Sequence, residues 1–250
     1  MTKTICYGGF IKNILEYQKK LWDITYNSAH NDIEAGGWFS SFDGSLFSMN
    51  EIEEFSHNCN TKIRQAHSFA EKILEIGVGS GFTLNILNDY CIEYHCIDIS
   101  KKSIQLINSK KYKNVIASCL PAHEINKIIH HFDIIIINSV IHCFPDLNYL
   151  ETVLDICYNL LNKNGIIFLG DIIDEELKDV MINDIKNYNI NSNYKKTDFS
   201  NDLFVLKEFF KKKYNNNCLN ISNKIYKISN ELTKYRYDVI IKKLCLKSKC

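Results

Sequence analysis

The 250-residue sequence predicts an α/β fold, a mostly parallel open sheet with helices packed on both faces. Three observations predict it. From residue 72 onward, short apolar runs alternate with segments of helical periodicity, the order that builds parallel sheets. Phe132-Asp-Ile-Ile-Ile-Ile137 is apolar at nearly every position, as a strand covered on both faces must be. Gly77, Gly79 and Gly81 fall where one strand gives way to a helix, and glycine there permits a tight turn that a Cβ would resist.

The elements follow in chain order. Ile11 to Trp22 carries a helical stripe at 11, 14, 15, 18, 21 and 22, apolar at every position except Gln18. The segment Gly36-Gly-Trp-Phe-Ser-Ser-Phe-Asp-Gly44 reads as a loop. Ser48 with Glu51 three positions on reads as a capping box opening a helix to about Ala70. Strands are expected at 72–76, 94–98, 114–118, 132–137 and 165–169, and helices at 83–90, 101–110 and 147–161. Residues 175–217 read as helical and polar, anchored by Leu203, Leu206, Phe209 and Phe210. Lys224–Ile228 and Tyr237–Ile241 read as two closing strands, antiparallel to the rest. One domain is therefore expected over 1–250: an N-terminal helical cap (1–70), an α/β core (71–174), a helical lid (175–223), then closing strands and tail (224–250).

Composition narrows the function classes. With 46% hydrophobic and 24% charged residues and only 2 Pro, the chain is a folded globular protein. Its 30 Lys+Arg against 29 Asp+Glu leave a net charge of +1, too little for a protein that grips nucleic acid through its phosphates. The 10 cysteines include no C-x-x-C pair, and several sit in apolar runs, so neither a disulfide framework nor a zinc site is expected. Asp171 alone makes no metal site either. No apolar stretch approaches the ~20 residues of a membrane helix, and no secretory leader is read at the start. The expectation is a reduced, cytoplasmic protein.

Glu75-Ile-Gly-Val-Gly-Ser-Gly81 carries the strongest chemical signal. Position 82 is Phe, so the pattern is G-x-G-x-G and not the G-x-G-x-x-G of nicotinamide-binding turns. An acidic residue two before the first glycine suits a cationic amino-acid ligand better than a pyrophosphate. Asp98 closes the second strand, where a carboxylate accepts both hydroxyls of a ribose. Its other reading is a helix cap in Asp98-Ile-Ser100.

These residues, with the 132–146 segment and Asn162-Lys-Asn-Gly165, resemble class I S-adenosylmethionine-dependent methyltransferases. The closer resemblance is to the methyltransferase domains embedded in nonribosomal peptide synthetases. Gly37-Trp-Phe-Ser-Ser-Phe-Asp-Gly44, Ile137-Asn-Ser-Val-Ile-His-Cys-Phe-Pro145 and Asn230-Glu-Leu-Thr-Lys-Tyr-Arg-Tyr-Asp-Val239 carry it, the last being the most specific. No adenylation or carrier domain surrounds the matching segment, so the chain reads as a freestanding relative.

The resemblance implies a Rossmann-like methyltransferase sheet binding S-adenosylmethionine. Gly77, Gly79 and Gly81 would face its methionine part with Glu75 nearby. Asp98 would hold the ribose, Ile99 would pack on adenine, Ala122-His123 would meet the adenine amino group, and Asn138 would lie beneath the cofactor. Where the family often has an acidic residue just before the Ala122 position, this chain has Leu120-Pro121. His142, four residues past Asn138, is the candidate base, with a packing role as its alternative. Tyr26 and Trp38 are candidate acceptor-site aromatics, since aromatic faces attract sulfonium and ammonium groups.

The leading expectation is N-methylation of a small-molecule amine or amino-acid-like intermediate in specialised metabolism, the substrate either free or carrier-bound. O- or C-methylation is the alternative within the same chemistry. Asn138-Ser-Val-Ile141 lacks the Pro-Pro-aromatic signature of base-amino enzymes, which sets a nucleic-acid substrate aside, and a non-catalytic cofactor-binding partner is a weaker third reading.

Overall fold

The computed structural model describes residues 9–188, 196 and 198–243. Three helices precede the sheet: α1 (Gly9–Ser28), α2 (Asp32–Ala35) and α3 (Met49–Ala66). Ser48 and Glu51 form the expected capping box at α3. The alternation then runs β1 (Ala70–Ile76), α4 (Phe82–Leu87), β2 (Cys91–Asp98), α5 (Lys101–Ser109), β3 (Val115–Cys119), β4 (Phe132–Asn138), α6 (Leu147–Leu160) and β5 (Leu161–Ile173). After it come α7 (Lys178–Asn187), α8 (Lys207–Lys213), β6 (Leu219–Ser222), α9 (Glu231–Lys234) and β7 (Arg236–Lys242).

The sheet order is β3-β2-β1-β4-β5-β7-β6. The first five strands in that order are parallel, and β7 runs antiparallel to both β5 and β6. The order reverses direction beside β1 and β4, so a crevice opens at the carboxyl ends of those strands. Both faces are covered. Cys59 and Ile63 of α3 and Leu84 and Leu87 of α4 pack on one with Ile73, Ile134 and Ile136. Tyr149, Leu150, Val153 and Leu154 of α6 pack on the other with Leu74, Ile135 and Ile137. Alternate isoleucines of β4 thus serve opposite cores, which explains why the run is apolar throughout.

The closing region differs from expectation. Lys224–Ile228 is not a strand, and the edge strand β6 lies instead at Leu219–Ser222, inside the segment expected as helical lid. The backbone N–H groups of 225, 227 and 228 are taken by side chains of α3: Ile225 donates to Asn58 (2.8 Å), and Lys227 and Ile228 donate to Glu54 (3.1 and 3.0 Å). A strand pairing would need those same donors. The lid is only partly helical. Beyond α7, residues 198–206 run mainly as extended chain and turn to α8; 189–195 and 197, which fall within the expected lid, lie outside the described residues.

Candidate functional site

The carboxyl ends of β1, β2 and β4, together with α1, the 36–48 loop and Lys196, Phe199 and Asp202, enclose a cavity of about 380 Å3. Its two ends differ in chemistry.

At one end the chain leaves β1 through Gly77, whose N–H donates to Ile97 O at 2.8 Å. Gly77 has φ +76°, and a Cβ there would meet Val140 Cγ2 at 2.3 Å, so only glycine fits. At Gly79 (φ +54°) a Cβ would find nothing closer than the Tyr26 hydroxyl at 3.7 Å, which leaves room above the main chain. The Gly79 N–H donates to Asp98 Oδ2 (3.0 Å), and Ser100 N–H donates to Asp98 Oδ1 (2.8 Å). Asp98 therefore braces both the glycine turn and the start of α5, whose cap is Ser100. The capping side chain of α5 is thus that of Ser100, and Asp98 supports it from two residues upstream.

Glu75 is fully buried and accepts a hydrogen bond from the Tyr94 hydroxyl at 2.9 Å. Burial raises its carboxyl to about 8, with the Asp98 charge adding to the rise and hydrogen bonds from Tyr94 and Thr83 opposing it. Burial also raises Asp98. Two buried carboxyls with raised values side by side suit a cationic ligand, which would draw the Glu75 proton off. The Asn138 amide donates to Thr83 Oγ1 at 3.1 Å and leaves its Oδ1 without a partner, as are the Tyr26 hydroxyl and Ser80 Oγ. The room over Gly79, the carboxyl pair and these unpartnered polar atoms fit S-adenosylmethionine, a cation with a ribose and an amino acid.

The other end is built from distant segments. Glu231 of α9 accepts from Ser41 N–H (3.0 Å) and Ser41 Oγ (3.2 Å). The Ser41 carbonyl accepts from Lys196 N–H at 2.9 Å, the Lys196 ammonium pairs with Asp202 at 2.8 Å, and Leu203 N–H donates to the His142 carbonyl at 2.8 Å. These contacts make a polar collar around the cavity. Beneath it, Arg236 pairs with Asp171, Lys224 with Asp171 (2.8 Å) and Asp238 (3.2 Å), and Lys62 with Asp238 (2.7 Å). Asp171 is placed by a bulge in β5 at φ +64°, and its carboxyl is held well below the ordinary range by Arg236 and Lys224, against the opposing effect of burial. His142 is half-buried and lowered to about 4, first by desolvation and then by the Arg236 charge.

Of the expected site residues, Glu75, Gly77, Gly79, Asp98, Ile99, Ala122, Asn138, Tyr26, Trp38 and His142 line the cavity. Two do not. Gly81 (φ +89°) caps α4 against Ile107, and a Cβ there would come within 2.9 Å of that side chain. His123 does not line the cavity: its ring sits 2.9 Å from the hydroxyl of Tyr149, which does, and Ala122 alone of the pair is at the wall. Tyr26, expected at the acceptor, stands over Gly79, where burial and then the Asp98 charge raise its hydroxyl. Trp38 packs edge-on to Phe55 with ring centroids 4.5 Å apart, so it is core as well as wall. Glu231 and Arg236 lay in a segment whose resemblance was visible, but Lys196 and Asp202 carry no sequence signal at all.

A methyltransferase-domain family model matches residues 74–167. The sequence is 29% identical over 218 residues to CymA of Salinispora arenicola, described as a probable non-canonical nonribosomal peptide synthetase, covering 82% of this chain and 3% of that protein. It is 30% identical over 149 residues to chondramide synthase of Chondromyces crocatus, covering 57% of this chain and 4% of that protein. The chain thus spans a few per cent of the length of these relatives. Among solved structures, the N-methyltransferase NodS of Bradyrhizobium japonicum, bound to S-adenosyl-L-homocysteine, superposes with TM-score 0.60 at 13% identity, covering 90% of this chain and 97% of that one. The plantazolicin methyltransferase BpumL, also bound to S-adenosylhomocysteine, gives 0.59 at 13% identity, covering 95% of this chain and 100% of that one. At that identity the likeness is one of fold.

Proposed function

Because this chain belongs to the class I S-adenosylmethionine-dependent methyltransferases, we propose that it methylates the nitrogen of a small amine or amino-acid-like intermediate in specialised metabolism. The observation that carries this reading is the state of His142. A half-buried imidazole lowered to about 4 at the cavity wall is neutral at physiological pH and a weak base. A hydroxyl or acidic carbon needs its proton removed, whereas a neutral amine presents a lone pair and needs only alignment.

Bound in the cavity, S-adenosylmethionine supplies a methyl group on a positively charged sulfur. Glu75 and Asp98 offset that charge, and Asp98, Ile99 and Ala122 hold the nucleoside side of the site. Trp38, Phe199 and Ile173 form apolar wall at the cavity, excluding water from the acceptor. The collar from Glu231 through Ser41 to Lys196 and Asp202 orients what enters. An amine beside an acyl carbon has a pKa near that of an α-amino terminus, ~7.7–8.0, so a useful fraction arrives neutral. Such an acceptor, free or held on a carrier protein, fits a site without a strong base. The free thiols of the described cysteines suit a reducing, cytoplasmic setting, and no described helix is long and apolar enough to cross a membrane.

The test is methyl transfer from labelled cofactor to a panel of amino acids, aminoacyl esters and thioesters, and hydroxyl compounds. N-methylated product is expected. Exclusive O- or C-methylation would overturn the assignment.

A further inference from the structure

A second cluster lies on the sheet away from the cavity. Glu93 and His95 are two residues apart on β2, so both side chains leave the same face of the sheet. The segment leading into β4 carries His130 to them, with the His95 and His130 rings 5.0 Å apart. One carboxylate oxygen and one nitrogen of each imidazole all lie within 4.8 Å of one another. None of the three lines the cavity, and nothing proposed for methyl transfer uses them.

We propose that Glu93, His95 and His130 form a binding site for a divalent transition-metal ion of the zinc class, completed by water. The donor set is two imidazoles and one carboxylate, the combination that zinc takes with an open fourth position. In a tetrahedral site with bonds of ~2.0–2.2 Å the donors stand roughly 3.4 Å apart, so small side-chain rotations close this cluster on an ion. His95 provides the fixed member: it is 5% exposed, and its ring meets Phe132 edge-on at 5.2 Å. Its ring nitrogen touches Glu93 Oε1, so the carboxylate is already turned toward it. His130 is exposed and leaves the outer side open to solvent. An ion here would tie the segment before β4 to β2, two strands that β1 separates.

One neighbour competes. The Lys72 ammonium stands 3.6 Å from Glu93 Oε1, and an ion must displace it. That competition separates a metal site from a plain ion pair. If the cluster is only an ion pair, removing Lys72 changes nothing about metal; if it is a site, removal of the cation strengthens binding.

The experiment is calorimetric titration of chelator-stripped, reduced full-length protein with zinc chloride alone, repeated on His130→Ala, Glu93→Gln and Lys72→Met. We expect one equivalent that His130→Ala and Glu93→Gln weaken by about tenfold or more, the scale on which metal sites respond even to loss of supporting contacts. Lys72→Met should tighten it severalfold. Cobalt in place of zinc should give visible bands without the intense near-ultraviolet absorption of a thiolate ligand. The melting temperatures of the metal-free variants should match the parent, because His130 is exposed and Glu93→Gln preserves shape. Zinc binding unchanged in both ligand variants, no binding equivalent at all, or a thiolate band for the only equivalent would each overturn the proposal.

Discussion

The two ends of the cavity are made in opposite ways. The cofactor end comes from a short stretch of chain: Glu75, Gly77, Gly79 and Asp98 lie within two adjacent parallel strands and the turn between β1 and α4, joined by backbone-directed hydrogen bonds. The end proposed to take the acceptor joins residue 41 to residue 231, residue 196 to residue 41 and residue 203 to residue 142, over a buried set of charges from α3, β5, β7 and the 224 loop. Local construction makes the first end tolerant of change elsewhere and intolerant of change in its own turn. The second depends on charges that are stable only in each other's company. Breaking each end at its own weak point tests that contrast.

The largest effect is expected from the charges. Asp171→Ala leaves Arg236 and Lys224 buried without their shared carboxylate, and removing one partner of a buried ion pair costs roughly 3–5 kcal/mol. Urea unfolding should show that loss, and the variant's acceptor affinity should fall further than its cofactor affinity. The native carboxyl is held below its ordinary value, so its contribution is present above about pH 4 and is lost as pH falls from there toward the folded value. Acid unfolding of Asp171→Ala should accordingly be less steep than that of the parent. Equal stability of variant and parent would show that the acceptor end does not rest on this network.

Within the cofactor turn, two glycines separate shape from room. At Gly77 alanine combines a left-handed backbone with a Cβ 2.3 Å from Val140, so overpacking of ~1–3 kcal/mol adds to a conformational cost of ~1–2 kcal/mol. At Gly79 only the conformational part applies to folding, since the nearest atom is 3.7 Å away. Gly77→Ala should therefore lose stability and cofactor binding together. Gly79→Ala should keep most stability and lose cofactor binding, because its Cβ fills the room over the main chain. Paired melting curves and cofactor titrations read the difference, and equal damage from both would contradict the division of labour.

Much of the cofactor end was legible in the sequence for the same reason that it is locally built. Strand, glycine turn and acidic residue recur at fixed short spacing, so Glu75, Gly77, Gly79, Asp98 and Asn138 fell at the cavity wall as expected. What the sequence does not show has physical causes. Gly81 and His123 adjoin wall residues in sequence without lining the cavity, because Gly81 caps α4 and His123 sits against the Tyr149 hydroxyl. Lys224–Ile228 alternates like a strand, yet its donors answer to Glu54 and Asn58 some 170 residues earlier. Lys196 and Asp202 belong to a polar stretch with no pattern, and only the fold brings them to Ser41 and His142.

Glu75 sharpens the comparison through pH, with a sign opposite to that of Asp171. Its folded value of about 8 lies above the ordinary carboxyl, so the folded chain holds a proton that the unfolded chain releases. Stability without cofactor should fall as pH rises from about 5 to 8, because the unfolded state binds fewer protons across that window. Glu75→Gln should flatten this limb and unfold at higher urea than the parent near pH 8, while binding the cationic cofactor more weakly. A slope unchanged by the substitution would remove Glu75 as its source.

The smallest effect is expected at His142, where the acceptor's chemistry is read out. With a value of about 4 the imidazole is already neutral in any ordinary assay. If the acceptor is an amine, alignment supplies most of the rate, and His142→Gln should lower turnover by less than about tenfold, far short of the ~100- to 10,000-fold that a general base is worth. The rate should then rise with pH along the titration of the acceptor's own amine, in parent and variant alike, and should shift when an acceptor of different basicity is supplied. If the acceptor is a hydroxyl or an acidic carbon, the imidazole must take a proton despite its depressed basicity. The loss should then approach a thousandfold, with fold and cofactor affinity unchanged. That outcome would move the reaction from nitrogen to base-assisted chemistry and make desolvation and the Arg236 charge, which together hold His142 neutral, a brake on turnover read out by rate against pH.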